Sequence, residues 1–194
     1  MIWHLFTNRR QAQTIRALYG AIVAQARNAV FYKHYAVPDT VNGRFDMIVL
    51  HLSLFLDRSE AGDDALRTAG QKAFDLFCTE LDGHVREQGT GDLQVPKEMQ
   101  KFASAFYGRR AAYRDALAEP GNRALESAVM RNIYGQGGEP DAGAARLARY
   151  IRAAAESLGR QQDFAGGIIA WPDPSAMTAD AHPAQTTTQQ ANVY

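Results

Sequence analysis

Histidines and carboxylates are the first residues to consider, because metal binding and acid–base catalysis both depend on them. Glu80 and His84 stand four residues apart in a helical stretch, which places both on one helix face. A carboxylate-bridged dimetal bundle needs a second pair of this kind, and the sequence has none. We therefore interpret the pair as a solvated contact and expect no metal site.

His51 stands alone in the apolar run 47–56, and a lone histidine there is typical of a hydrogen-bonded core residue. His51 and His84 are the only central residues that could serve as axial haem ligands, so a cofactor binder stays open as one hypothesis. Cys78 is the only cysteine, which excludes an intramolecular disulfide. Its spacing from Phe74 and Phe77 predicts a buried, inert thiol.

Two further kinds of catalytic motif are missing from the sequence. The glycine-rich segment 135–138 (GQGG) lacks a preceding strand and a terminal Lys-Ser/Thr, so it does not predict a phosphate-binding loop. No serine stands in a Gly-x-Ser-x-Gly motif. We therefore expect no catalytic residues, no cofactor and no small-molecule substrate.

The most distinctive spacing of cations and aromatic residues lies in the segment 91–113. Arg109-Arg110 and Arg114 follow Phe106-Tyr107, so that cations and aromatic rings are interleaved. Nucleic-acid-binding domains also show this pattern, but they are strongly basic, whereas this chain of 194 residues has a formal net charge of zero. We expect no binding to DNA, while contact with structured RNA through a local basic patch stays open.

Helical periodicity in nearly every segment predicts that one all-α domain positions these residues. About six to seven helices are expected in a domain formed by residues 1–171, and the clearest are 11–29, 45–57, 65–88, 96–118, 123–134 and 142–159. The apolar but glycine-split segment 164–171 is expected to pack back as an extended arm. Residues 172–194 are dominated by Ala, Thr, Gln and Pro, which predicts a disordered tail.

The zero net charge hides an uneven distribution along the chain. Residues 1–38 carry five cations and no Asp or Glu, residues 39–95 hold five cations against eleven anions, and residues 96–160 hold eleven cations against seven anions. The basic flanks either pack against the acidic middle or attract an anionic surface. The longest apolar run spans about ten residues, half the length a membrane helix needs. The expected location is cytoplasmic, with a peripheral position at the inner membrane as a variant.

Four sequence blocks, taken in order, resemble the ubiquinol–cytochrome c chaperone family, whose mitochondrial members help to assemble cytochrome b into the bc1 complex. The blocks are 18–20 (LYG) with 26–28 (ARN) and 31–32 (FY), 37–40 (VPDT) with 43–46 (GRFD) and 51–52 (HL), 91–93 (GDL) and 95–97 (VPK) with 105–109 (AFYGR), and Arg131-Asn132 with Tyr134. The resemblance covers residues 10–135. Because the mitochondrial targeting extension is not found, we expect a bacterial cytoplasmic member.

The resemblance implies a protein that is not an enzyme but an assembly chaperone of ubiquinol–cytochrome c reductase. It would bind newly made cytochrome b in an apolar, aromatic groove rimmed by cations. The partner-binding candidates stand beside the predicted core stripe or in the loop before the second helix: Pro38, Asp39, Gly43, Arg44, Lys97, Tyr107, Arg109 and Tyr113. Phe102 and Phe106 are assigned to the core. The alternative function is an adaptor whose basic helices bind ribosomal RNA or an anionic membrane surface.

Overall fold

Seven α-helices account for most of the part of the chain that the structure describes. This computed structural model describes residues 2–87, 89, 91–135 and 141–178, with the backbone alone for residues 2–8. The helices are α1 (Ile2–Ala26), α2 (Ala29–His34), α3 (Val41–Glu60), α4 (Asp64–Glu87), α5 (Val95–Ala118), α6 (Arg123–Asn132) and α7 (Ala142–Arg160), followed by a 3-10 helix (Pro174–Met177). No strand occurs within the described ranges, and the prediction of an all-α fold is confirmed.

Local side-chain chemistry sets where several helices begin. The Thr40 hydroxyl accepts a hydrogen bond from the backbone N–H of Gly43 at 3.1 Å and so caps α3. The Asp141 carboxylate caps α7 in the same way, accepting from the backbone N–H of Ala144 at 2.8 Å. Pro96 stands in the first turn of α5, where its missing N–H costs nothing.

Helix α3 forms the centre of the domain. It packs against α1, α4, α5 and α7, and every residue from position 49 to position 56 is buried. This all-round burial explains why the run 47–56 is apolar without being a membrane span. None of the described helices is both long enough and apolar enough to cross a bilayer.

His51 occupies the centre of α3 and is fully buried. Its Nδ1 donates to the backbone carbonyl of Met47 at 2.7 Å, and its Nε2 accepts from the Tyr150 hydroxyl at 2.9 Å. The same hydroxyl accepts from Gln25 Nε2 at 2.9 Å. Both ring nitrogens are therefore satisfied, which agrees with the interpretation of His51 as a core residue and leaves no lone pair for a haem iron.

The chain after α7 packs back across the helices as an extended arm, as the sequence predicted for 164–171. Phe164 and Ile169 are buried in the core. The packing continues beyond the predicted end of the domain at residue 171, because the Tyr35 hydroxyl donates to the buried Pro174 carbonyl at 2.7 Å. Residues 172–178 of the predicted tail thus lie against the helices, and the remainder, 179–194, lies outside the described residues.

Candidate partner-binding cleft

A cleft of about 400 Å³ opens between the N-terminal half of α3 and the N-terminal half of α5. Two aromatic rings form its floor: Phe45 on α3 and Phe102 on α5, with ring centroids 5.7 Å apart in an edge-to-face arrangement. The lining residues are Asn42, Phe45, Asp46, Glu98, Lys101, Phe102, Ala105 and Arg109. We refer to this feature as the α3/α5 cleft.

The spacing of residues along α5 explains how one helix serves both the core and the cleft. Phe106, Arg110 and Tyr113 are buried and recur at intervals of three and four, which makes them the core-facing stripe. Phe102 and Arg109 are seven residues apart and so share a neighbouring face, which lines the cleft. The cleft face is therefore the edge of the hydrophobic stripe of α5.

Behind the floor, aromatic contacts tie the cleft to the core. Phe45 stacks on Phe77 of α4 with centroids 5.8 Å apart. Phe77 lies 5.8 Å from Phe106, which in turn lies 5.0 Å from Phe74. The floor is thus the outer end of a packed aromatic cluster, so its rings are held in place before any partner arrives.

Two ion pairs form the charged rim of the cleft, and each joins one basic and one acidic side chain. Arg109 Nη2 lies 3.0 Å from Asp46 Oδ1, and Lys101 Nζ lies 2.7 Å from Glu98 Oε1. Burial raises the pKa of Asp46 to about 6, while the nearby Arg109 charge acts in the opposite direction. The rim of this cleft therefore carries as many acidic as basic groups, whereas the resemblance implied a rim of cations for the partner groove.

None of the residues predicted for the loop before the second helix lines the cleft: Pro38 and Asp39 precede α3, and Gly43 and Arg44 lie in its first turn. Asp39 and Arg44 form an exposed ion pair at 2.6 Å, and the Arg44 guanidinium also lies 5.9 Å from the centroid of the Tyr32 ring. Gly43 is buried against Pro38. The Asp39–Arg44 pair is therefore directed toward α2 and does not line the cleft, whereas Gly43 and Pro38 pack against each other at the start of α3.

Substituting Gly43 with alanine should destabilise the domain, because a Cβ atom there would lie 2.1 Å from the backbone oxygen of Pro38. The loop would have to move, at a cost of about 3 kcal/mol in the free energy of unfolding. Gly20→Ala is the matched control: that position is an exposed helix interior with open space around the Cβ, so alanine should add about 0.5–1 kcal/mol. Urea titrations of the two variants would contradict this account if both shifted in the same direction.

The predicted residues on α5 do not form one surface. Arg109 lines the cleft, whereas Tyr107 is 54% exposed and faces α4, with its ring centroid 5.9 Å from that of Phe74. Lys97 is exposed in the first turn of the helix, away from the cleft lining. Tyr113 has no exposed surface at all, so we remove it from the candidate contact residues.

Sequence reasoning missed two kinds of residue. Phe102 was assigned to the core, but it is half-buried and lines the cleft. Its position seven residues before Arg109 places it on the face of Arg109 and not on that of Phe106, and this spacing could have indicated its exposure. Arg110 was considered only as part of a basic patch, yet it is buried and pairs with Asp57 and Glu60 at 2.7 and 2.8 Å. No local signal could have shown this, because those carboxylates are about 50 residues away.

The α3/α5 cleft is not the only cavity within the described residues. A second cavity, of about 550 Å³, lies between α1, the α3–α4 connection and the arm, and is lined by groups such as Thr14, Leu66 and Phe164. Within the described ranges no three His, Cys, Asp or Glu side chains come close enough to share a metal. Burial raises the pKa of the half-buried Cys78 thiol, which makes it less reactive.

Comparisons with known proteins agree on one family. Residues 33–171 match the model of the family described as ubiquinol-cytochrome C chaperone. The chain is 23% identical over 174 residues to "Ubiquinol-cytochrome c reductase complex assembly factor 1" of Drosophila melanogaster, which covers 85% of this chain and 66% of the fly protein. The crystal structure of the Cbp3 homolog from Brucella abortus superposes with a TM-score of 0.81 at 36% identity, covering 90% of this chain and 98% of that one.

Proposed function

The chain belongs to the ubiquinol-cytochrome C chaperone family, and from this premise we propose that it assists assembly of the ubiquinol–cytochrome c reductase (bc1) complex by holding newly made cytochrome b. Family membership confirms the prediction of a chaperone and not an enzyme. The link to reductase assembly rests on the name of the fly relative, an assembly factor of the reductase complex, of whose length this chain spans 66%.

The α3/α5 cleft is the observation that carries the proposal. Cytochrome b consists mainly of membrane helices, so before assembly its apolar side chains must be shielded from water. A helix can lay such side chains into a groove of suitable size, and a cleft of about 400 Å³ floored by Phe45 and Phe102 offers that cover. The cleft opens to solvent at the surface, so a client can enter and leave without unfolding the domain.

The paired charges at the rim favour an uncharged client. Asp46 is already paired with Arg109, and Glu98 with Lys101, so an apolar helix can cover the rim without leaving a single charge unpaired. A client bearing its own charge would have to displace one of these partners and leave the other buried, which costs free energy. The rim thus selects for apolar segments of the kind that a membrane subunit exposes.

A charge placed on the cleft floor should abolish this function. In cells whose own copy is deleted, a Phe102→Lys variant should lower the amount of assembled bc1 complex at least about tenfold, because burying the ammonium group in an apolar contact costs more than 1.4 kcal/mol. Tyr107→Lys is the matched control, since Tyr107 is exposed and lies outside the cleft. The complex is measured by the haem b spectrum of the membranes and by native gel.

The control separates a functional effect from unfolding. Both purified variants should keep the helical circular dichroism spectrum of the parent, because Phe102 is only half-buried. If folded Phe102→Lys protein restored the normal amount of complex, the cleft would not be the client site. If Tyr107→Lys failed as completely as Phe102→Lys, the exposed face toward α4 would have to replace the cleft in the proposal.

A further inference from the structure

A cavity larger than the α3/α5 cleft lies beside the arm that follows α7. We refer to this space of about 550 Å³, between α1, the α3–α4 connection and residues 162–165, as the arm cavity. We propose that it binds a non-helical, apolar segment of an unfolded polypeptide and holds one large apolar side chain on its floor. The inference goes beyond the proposed function, because it concerns a different site. Asp46 of the cleft and Arg58 of the arm cavity stand twelve residues apart on α3, which corresponds to about 18 Å along the helix.

The floor of the arm cavity is apolar. It is formed by four side chains that are buried in the domain: Ile15 and Leu18 of α1, Leu66 of α4 and Phe164 of the arm. Ligand-binding cavities have volumes of about 300–1,000 Å³ and a lining of this kind, mainly apolar with a few polar groups. The floor can therefore cover a large apolar side chain.

Polar groups around the floor supply both hydrogen-bond donors and acceptors. Arg58 donates from Nε and Nη2 to the carbonyls of Leu158 and Gln161, each at 2.9 Å, while its Nη1 has no hydrogen-bond partner within the described residues. Asp63 and Asp163 each accept one backbone N–H with Oδ1, at 2.8 and 2.7 Å, and their Oδ2 atoms accept none within the same part of the chain. A peptide backbone that leaves water needs partners of both kinds.

The charges at the arm cavity favour a neutral occupant. Asp63 and Asp163 line it, and so does Arg58. A second cation, Lys72, lies at its edge, with Nζ 3.4 Å from Gln11 Oε1 of the lining. A charged small molecule would therefore meet like charges as well as opposite ones. A peptide backbone carries dipoles and no net charge, so it suits this lining better.

The arm shows how this side of the domain holds such a segment. Residues 161–173 are non-helical, and α1 donates hydrogen bonds to their carbonyls. The Thr14 hydroxyl donates to Ala165 at 3.1 Å. The Gln25 amide donates to Pro172 at 3.3 Å. Since the first residues of the arm also form one wall of the arm cavity, a second segment of the same chemistry can lie alongside the arm.

Fluorescence anisotropy with a probe peptide tests the proposal on the full-length protein. The probe is a fluorescein-labelled peptide of glycine and serine with Leu-Phe-Leu at its centre, and the comparison peptide has three serines there. The protein should bind the first peptide saturably and should not bind the second, because only the first has a side chain for the floor. Proline on both sides of Leu-Phe-Leu prevents a helix and should leave the affinity of the probe nearly unchanged.

Variants that fill the cavity locate the site. Ala69→Phe places a ring in the lining from a half-buried position of α4, and Ala65→Phe does so from an exposed position, where folding is not at risk. Each should weaken probe binding about tenfold or more, the effect of losing the burial of one large apolar side chain. Ala118→Phe, exposed at the end of α5 and outside the lining, is the control and should bind as the parent does.

The outcomes separate this proposal from the proposed function. Phe102→Lys should lower bc1 assembly but not probe binding; the reverse result, with binding lost in Phe102→Lys and kept in Ala65→Phe, would move the probe to the α3/α5 cleft and overturn the inference alone. No binding of the Leu-Phe-Leu peptide, or equal loss in Ala65→Phe and Ala118→Phe, would also overturn it. So would loss of binding on adding the prolines, or sedimentation showing that a second copy of the chain fills the cavity.

Discussion

Replacing Phe106 with alanine should lower the free energy of unfolding by about 3–5 kcal/mol, the usual cost of removing a fully buried phenylalanine. Phe106 is 2% exposed and packs against Phe74 and Phe77, with ring centroids 5.0 and 5.8 Å away. Since α3, α4 and α5 meet around these rings, the cavity cannot close by moving one side chain. For a domain of this size the melting temperature should fall by about 10 °C or more.

Phe102→Ala provides the contrast. Phe102 is half-buried at the floor of a solvent-open cleft, so water can replace the lost ring and the cost should stay below about 2 kcal/mol. Urea unfolding followed by circular dichroism measures both values. Equal losses at the two positions would mean that Phe102 belongs to the core, and the cleft could not then have the shape described above.

The second large effect concerns the response of stability to acid. Burial lowers the pKa of His51 to about 4, whereas in the unfolded chain it lies near 6.5. Between these values the unfolded state binds a proton that the folded state does not, so the free energy of unfolding falls as the pH falls, by about 1.4 kcal/mol per pH unit. The full loss from His51 is about 3 kcal/mol and is complete below about pH 4.

Asp46 has the opposite effect over nearly the same range. Burial raises its pKa to about 6, so between about pH 6 and its ordinary value of 3.8 the folded state binds the extra proton and becomes more stable as the pH falls. We therefore expect Asp46→Asn to be more sensitive to acid than the parent. Relative to the parent, its free energy of unfolding should drop by about 3 kcal/mol between pH 7 and pH 4.

Urea titrations of parent and Asp46→Asn protein over this pH range measure that difference directly, and the asparagine keeps a hydrogen-bond acceptor for Arg109. Groups that the substitution does not touch, His51 among them, cancel in the comparison. A constant difference between parent and variant at all pH values would show that the pKa of Asp46 is not raised. A difference of the opposite sign would show that Arg109 outweighs burial at this carboxylate.

The helices could be predicted from the sequence because apolar residues recur in it with helical spacing and the helix ends carry local signals. Helix α4 (Asp64–Glu87) was predicted as 65–88, and α5 (Val95–Ala118) as 96–118, on the strength of Pro96 and the flanking glycines. The first turns of α1 were missed, because residues 8–13 carry no apolar periodicity. The packing of residues 172–178 was missed because it depends on distant donors such as Tyr35.

The cleft was harder to foresee than the helices. Arg109 was placed correctly beside the core stripe, but its partner Asp46 stands on another helix and gave no signal next to it in the sequence. Tyr113, predicted to flank the core stripe, is buried, and Phe102, predicted as core, is half-buried at the cleft. Both lie near the boundary between core and surface on α5, and the neighbouring helices decide which of them is covered. The burial of a side chain at the edge of a hydrophobic stripe is determined by the neighbouring elements and not by the helix itself.

Photo-crosslinking in cells tests the central claim most directly. A photoreactive amino acid at Ala105 would sit in the lining of the α3/α5 cleft, and the same residue at Arg149, exposed on α7 and outside the cleft lining, serves as the control. The account predicts that newly made cytochrome b is captured from Ala105 and not from Arg149. Capture of cytochrome b from neither position, or from both equally, by protein that is correctly folded would contradict the cleft as the client site.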